Sequence, residues 1–372
     1  MNCVNKISDS LSAKMANMSF VCACMIVLFH ATPAPLLGSP SWWICHLVGR
    51  EGVCMMAVPW FFLASGFFLA GHLGEYVGWW KNEVAKRVRS LVIPFYIWMV
   101  ISFLFGVIIW YVKVHVFNMQ PKENPLSLSP SMFMLKMLGV HPVEDIGVFW
   151  YMRCLFFMVL ISPVLHWLMR WKGMVLAILS GLFLVVSWCF DNGVSKDFYF
   201  FFDRFVSIRG FVYFFLGILL RTQRQTVERQ PSQKRSVFTA GINRNIAIGS
   251  LMVGILLLIV DNCIAVSGCY AWTGVFEAVL VPFLIVGVFG MMSESRFPRW
   301  ITGSSFPIFL MHNIFLSLSS LGFKMIGMYG NAQYDLEMMF SRAFIAIVCS
   351  IAVSAFMHRY LLRASTVLFG GR

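Results

Sequence analysis

Apolar runs about twenty residues long, divided by short polar stretches, recur from one end of the chain to the other. They fall near residues 15–32, 52–72, 90–112, 147–168, 173–189, 204–221, 246–265, 273–292, 304–323 and 339–361. An α-helix needs about 20 apolar residues to cross a bilayer core, so the pattern predicts an all-α bundle of about ten transmembrane helices. Two connections are longer than the rest. Residues 113–146 carry Pro121, Pro125, Pro130 and Pro142, and residues 221–245 read RTQRQTVERQPSQKRSVFTAGINRN. The second is polar and basic and is expected to lie flexibly on an anionic membrane surface. Neither is long enough for a separate unit, and no internal repeat is visible, so residues 1–372 read as a single membrane domain. The first apolar run lacks a small-residue cleavage site and reads as a retained helix rather than a signal peptide.

Composition removes the soluble alternatives. Hydrophobic residues make up 59% of the chain and charged residues only 12%, against about a quarter charged in soluble domains. The mean hydropathy of +0.77 is too high for a protein dissolved in water. A net charge of +13 raises the question of nucleic acid. The basic residues, however, sit in short clusters between the apolar runs. Most of the 29 Lys and Arg lie on the side shared by the two termini, whereas the opposite loops hold Arg50, Lys113, Lys122, Lys136, Lys196 and Lys324. Positive charge is retained on the cytoplasmic side, so both termini are expected there. The basic balance thus points to a lipid bilayer as partner and away from nucleic acid. The ten cysteines show neither metal-ligand spacing nor a disulfide framework. Cys22, Cys24, Cys154 and Cys349 sit in apolar runs as small hydrophobes. A pairing among Cys45, Cys54, Cys189, Cys263 and Cys269 stays open.

Ionisable groups inside apolar spans are costly, and each is a functional candidate. These are His30, Glu51, Arg153, Asp203, Arg204, Arg209 and His312, with Arg87 and Arg89 at the mouth of the third run. His30 closes the run SFVCACMIVLFH; a neutral imidazole there can take a proton from a hydroxyl, or can simply bond a loop carbonyl. Arg87 and Arg89 are either an orientation signal or a clamp for a phosphorylated donor, since guanidinium forks match phosphate oxygens. Arg153 and His312 are candidates for support within the membrane. Asp203 and Arg204 can form a local pair. No Ser-His-Asp order, HExxH, phosphate-cradling glycine loop or catalytic carboxylate pair is present.

Several stretches carry a resemblance. The helix closing on His30, VPWFFLASGFFLAG at 58–71, KRVRSLVIPFYIW, FWYMRCLFFMVLISPVL, FFLGILLR and SFPIFLMHN occur in an order similar to that of the acyltransferase 3 family. These are bacterial multi-spanning proteins that O-acylate surface glycans. The resemblance covers nearly the whole chain. It implies an acyl-CoA donor, acetyl-CoA foremost, entering from the cytoplasm, and a glycan or lipid-linked glycan acceptor on the far side of the bacterial inner membrane. It implies no bound cofactor and no metal. His30 would be the catalytic base, and Arg87 and Arg89 would match the R-x-R element at the donor face.

One departure from the family pattern matters. The family has Arg eleven positions before the His, and here that position is Ser19. Eleven residues turn to within roughly 20° of three full helical turns and rise about 16 Å, so position 19 shares the face of His30. Ser19 therefore belongs with the donor-side candidates, and Lys14, lower on the helix, is the residue expected to reach up in place of the missing charge. The departure keeps a second reading alive, a translocator or degenerate relative without acyl-transfer activity. A secondary transporter fits less well, because no repeated, Gly/Pro-broken helices occur in matching halves.

Overall fold

The computed structural model describes residues 7–33, 39–49, 52–73, 78–118, 124–127, 129–137, 149–192, 207–229, 242–267, 273–328 and 332–371. Among these, every regular element is helical. The helices are α1 (Asp9–Ala31), α2 (Pro40–Val48), α3 (Ala57–Ala70), α4 (Trp79–Arg87), α5 (Ile93–His115), α6 (Pro130–Met137), α7 (Trp150–Leu160), α8 (Ser162–Leu168) and α9 (Lys172–Asp191). They continue as α10 (Ile208–Arg229), α11 (Arg244–Val266), α12 (Thr273–Met291), α13 (Arg299–Thr302), α14 (Ser305–Met325), α15 (Asp335–Tyr360) and α16 (Leu362–Leu368). Seven helical stretches among the described residues are long and apolar enough to cross a membrane, and α7 and part of α12 are shorter apolar helices. The outer surface is apolar where lipid would lie: Leu104, Ile108, Met252 and Phe344 are all more than half exposed.

Local chemistry sets the helix ends and breaks. α1 starts where the Ser8 hydroxyl accepts from the Leu11 amide, with Asp9 in the first turn. The run near 147–168 is one span by hydropathy but breaks at Ile161. Pro163 has no N–H to return to Val159, and the Ser162 hydroxyl donates to the Val159 carbonyl instead, at 2.6 Å. Pro94 acts similarly at the start of α5. It cannot donate to Ser90, and the backbone shifts into a π-helical turn over Val88–Val92, with the Ile93 amide bonded to the Val88 carbonyl.

Two expectations change. The polar stretch from 221 is not flexible from its outset, because α10 stays helical to Arg229. The run near 52–72 becomes helical only at Ala57, after a 3-10 turn over Val53–Met56, and a separate short helix, α2, precedes it. Pro40 at the first turn of α2 and Ser39, whose hydroxyl accepts from the Trp42 amide, were the signals for that helix. Among the described cysteines none is disulfide-bonded. Glu51, Asp203 and Arg204 lie outside the described residues.

The core forms around α3 and α10, which approach until backbone meets backbone. Gly66 lies against the Phe214 carbonyl and Gly217 against the Leu63 carbonyl, so closely that a Cβ at either glycine would overlap them. Small residues permit this contact between membrane helices, where dispersion rather than water exclusion drives packing. Met18, Phe62, Leu69, Met152, Met158, Phe214, Phe215 and Ile218 are fully buried around it. A second cluster, Ala23, Val27, Ala31, Ile308, Leu316, Met339, Ala343 and Ala346, joins α1 to α14 and α15. That cluster places the C-terminal turn of α1 beside the middle of α14.

Candidate active site

His30 occupies the last turn of α1 and is half-buried. Its ring faces that of His312 on α14, with centroids 5.1 Å apart and planes inclined at 36°. Phe29 packs edge-on to the His30 ring and Phe309 lies beside His312. Two of the sequence candidates, far apart in the chain, are thus brought into ring contact.

His312 is fully buried. Its Nδ1 lies 2.8 Å from the Phe309 carbonyl and 3.2 Å from the Ile308 carbonyl. Carbonyls only accept, so Nδ1 carries the hydrogen and donates to them. The neutral ring then presents a bare lone pair at Nε2, and that atom has no hydrogen-bond partner among the described residues. A buried acceptor left unpaired costs about 1–3 kcal/mol, which helix packing alone does not require.

The end of α1 is pinned from a third helix. Arg342, on α15, donates from Nη1 to the Ala31 carbonyl at 3.3 Å. A cation at a helix C-terminus is favoured by the exposed carbonyls and the dipole. The Thr32 hydroxyl closes the same turn by donating to the Leu28 carbonyl at 2.8 Å. Arg342 is not among the ionisable candidates named from the sequence. The available signal was an arginine within the apolar run near 339–361, the same signal that singled out Arg153.

Further along, Tyr151 on α7 is buried among Phe61, Phe62 and Phe309, and its hydroxyl lies 3.4 Å from that of Ser65. Aromatic contacts therefore run from His30 through His312 and Phe309 to Tyr151. Arg153 is half-buried on α7, two residues past Tyr151. Arg209, at the start of α10, lies over the Phe183 ring at 5.6 Å.

Ser19 is half-buried, and its hydroxyl is engaged on two sides. Its hydroxyl donates to the Met15 carbonyl at 2.8 Å and accepts from the Trp60 indole N–H at 3.2 Å. Trp60 is buried and packs on Phe289, with centroids 5.2 Å apart. An aromatic pair thus adjoins the position where the family pattern has a cation. Lys14 does not reach up to supply one: its ammonium is paired with Glu294 at 3.2 Å, in the loop after α12. Next to it, the buried Asn17 holds the same loop. Its amide donates to the Ser293 and Ser295 carbonyls at 3.2 and 2.9 Å, and its carbonyl accepts from the Phe297 amide at 2.9 Å.

Arg87 and Arg89 lie at the other end of the bundle from His30. The rise along α15 from Arg342, beside Ala31, to Tyr360, next to the segment that meets Ser90, is about 27 Å. The two arginines are not equivalent. Arg87 ends α4 with its guanidinium 3.8 Å from the carboxylate of Glu83, which is buried and also lies 3.7 Å from Lys86. Arg89, in the π-helical turn, is exposed. Among the described residues no group of three or more His, Cys, Asp or Glu could hold a metal ion.

No curated protein and no solved structure matches the chain. A family model described as an acyltransferase domain matches residues 17–359, from the lower half of α1 to the end of α15. That match contains His30, His312, Arg342 and the R-x-R turn in one continuous unit, and it shows that the chain belongs to the acyltransferase 3 family.

Proposed function

We propose that this protein is a multi-pass O-acyltransferase of the bacterial inner membrane that moves an acyl group, acetyl foremost, from cytoplasmic acyl-CoA to a hydroxyl of a cell-surface or lipid-linked glycan. The chain crosses the membrane ten times in this reading, with both termini in the cytoplasm, His30 near the outer face and the R-x-R turn at the inner face. The observation that carries the reading is the His30–His312 pair, with its unpartnered Nε2, at the pinned end of α1. A family match alone gives the class of reaction; two facing imidazoles give it a chemistry.

His30 acts as general base. It takes the proton of the acceptor hydroxyl while that oxygen attacks the thioester carbonyl. The tetrahedral adduct collapses with cleavage of the C–S bond, and CoA leaves as a thiolate that recovers a proton. His312 cannot turn its Nδ1 away from the Phe309 and Ile308 carbonyls without losing both bonds, so its Nε2 is a fixed acceptor beside His30. It is available to hold an N–H of His30 in place when that ring turns toward it. No step here requires an acyl-enzyme, and transfer is direct. Exposed Arg89, with Arg87, receives the donor's phosphates.

The test is made in the native cell. The gene is deleted and restored as wild type or as His30→Ala, and base-labile acyl groups on isolated surface glycans are quantified. Loss on deletion that wild type restores and His30→Ala does not is the expected result; full rescue by His30→Ala would sink the reading. A second reading, a translocator or inactive relative, is favoured by one observation: Trp60 donates to Ser19 at the position of the family arginine. It predicts no change in glycan acylation on deletion and gain of transfer with Ser19→Arg.

A further inference from the structure

We infer that the C-terminal segment, residues 362–371, is a positioning element for the R-x-R turn, holding the π-helical backbone that presents Arg89. The inference rests on the reading of that turn as the donor site.

The chain bends at Leu361, where α15 ends, and α16 follows at once. Phe369, Gly370 and Gly371 then close α16 in a Schellman arrangement, with the Gly371 amide donating to the Thr366 carbonyl at 2.8 Å. Gly370 and Gly371 have φ of +67° and +72°, a left-handed conformation that glycine adopts without strain. The closure is directed inward. Phe369 is 1% exposed, stacks on Trp98 with planes inclined at 20°, and touches the His358 ring. Trp98 in turn donates its indole N–H to the Leu368 carbonyl at 3.0 Å.

Gly370 lies directly against the backbone of Ser90, and a Cβ at position 370 would overlap the Ser90 carbonyl, Cα and carbonyl carbon. Ser90 is the residue after Arg89 and the i−4 partner that Pro94 leaves without its helical donor. The least regular turn of the α4–α5 arm is therefore braced by the chain end, through a glycine contact, a buried phenylalanine and an indole hydrogen bond. A π-helical turn has poor intrinsic stability and persists where its surroundings hold it. Here the bracing segment comes from more than 270 residues away in sequence, and it leaves the Arg89 side chain exposed.

The experiment uses the full-length protein in lipid nanodiscs, as wild type, Gly370→Ala, Trp98→Phe and the exposed-site control Val367→Ala. Backbone hydrogen exchange is followed in the segment spanning 88–92 and, for reference, in α7. Equilibrium binding of acetyl-CoA is measured on the same samples. The expected result is at least tenfold faster exchange at 88–92 in Gly370→Ala and a smaller acceleration in Trp98→Phe. α7 stays as in wild type, and acetyl-CoA binding weakens several-fold in the same order. Unchanged exchange at 88–92 in both variants would overturn the inference, as would a uniform acceleration that includes α7, or faster exchange with unaltered acetyl-CoA binding. A wild-type protein that binds no acetyl-CoA would instead refute the donor reading of the R-x-R turn, and the exchange data would still decide whether the chain end braces it.

Discussion

His30 and His312 face each other across the α1–α14 contact with ring centroids 5.1 Å apart, and only His30 is reached from outside the core. In the proposed mechanism the half-buried ring meets substrate, while the buried one is locked by two backbone carbonyls. That division of labour predicts different consequences for the two residues. His30→Ala should reduce transfer by about 10²–10⁴-fold, the usual contribution of a general base. His312→Phe keeps the ring volume but removes Nε2, and should cost about 10²-fold with the fold retained. Glycan acylation in complemented deletion cells, with protein amount normalised, checks both. Wild-type activity in His312→Phe would reduce His312 to a packing residue.

Ser19 and Trp60 form a donor–acceptor pair that is testable as a unit. Ser19→Ala removes the acceptor of a buried indole N–H and should destabilise by about 1–3 kcal/mol. Adding Trp60→Phe removes the stranded donor as well, so the double variant should be less destabilised than the sum of the single ones. Thermal unfolding in nanodiscs gives all four corners of the cycle. Strict additivity would mean that the indole contact contributes nothing.

How far the sequence reveals this site depends on which interactions are local. Apolar runs of bilayer length carry the helical class, but they hide the breaks: 147–168 and 90–112 read as unbroken spans, and the interruptions beside Pro163 and Pro94 emerge only in the fold. His30 and His312 were visible because an imidazole in an apolar run is rare, but their meeting was not, since helix pairing depends on contacts such as Gly66 on Phe214. Helical geometry alone puts Ser19 eleven residues and about three turns before His30. The surroundings of Ser19 were missed because Trp60 comes from another helix. Asn17 and Glu83 drew no notice: a polar residue near a helix end looks like an ordinary interfacial residue until the loop or arginine that it holds is seen.

Glu83 is a buried carboxylate beside the turn proposed to receive the donor, 3.8 Å from Arg87. That separation is too long for a strong charge-assisted bond, so the carboxylate orients Arg87 weakly and, in the proposed donor site, adds negative charge near the phosphates. Glu83→Gln should therefore tighten acetyl-CoA binding by about fivefold, the effect of removing roughly 1 kcal/mol of like-charge repulsion at short range in a wet site. Equilibrium binding at two salt concentrations checks this. Weaker binding would show that orientation of Arg87 outweighs the repulsion.

Asn17 makes three hydrogen bonds to the loop after α12, and its side chain is fully buried. Asn17→Ala leaves two carbonyls and an amide to find new partners. The expected destabilisation is about 2–4 kcal/mol, at a net 0.5–1.5 kcal/mol per bond. Unfolding midpoints read the loss, and limited proteolysis after Arg296 should become faster in the same variant. A midpoint equal to wild type would mean that water replaces the protein partners at no cost.

Glu294 ties the same loop to α1 by charge rather than by burial. Hydrogen bonding from Lys14, then from Ser10, and the Lys14 charge hold its carboxyl below the usual carboxylate range. A depressed folded-state value means that the folded state favours the ionised form. The tie is therefore fully present above the ordinary carboxylate range and is lost as pH falls through the depressed value. Proteolysis or hydrogen exchange at residues 293–297 should accelerate over that acidic window in wild type. In Glu294→Gln the segment should exchange at one intermediate rate with no step across the window, because Asn17 still anchors it. High salt should blunt the wild-type step, since the carboxylate is exposed. A step of equal size in Glu294→Gln would assign the pH response to another group and leave the Lys14–Glu294 contact without a role in holding the loop.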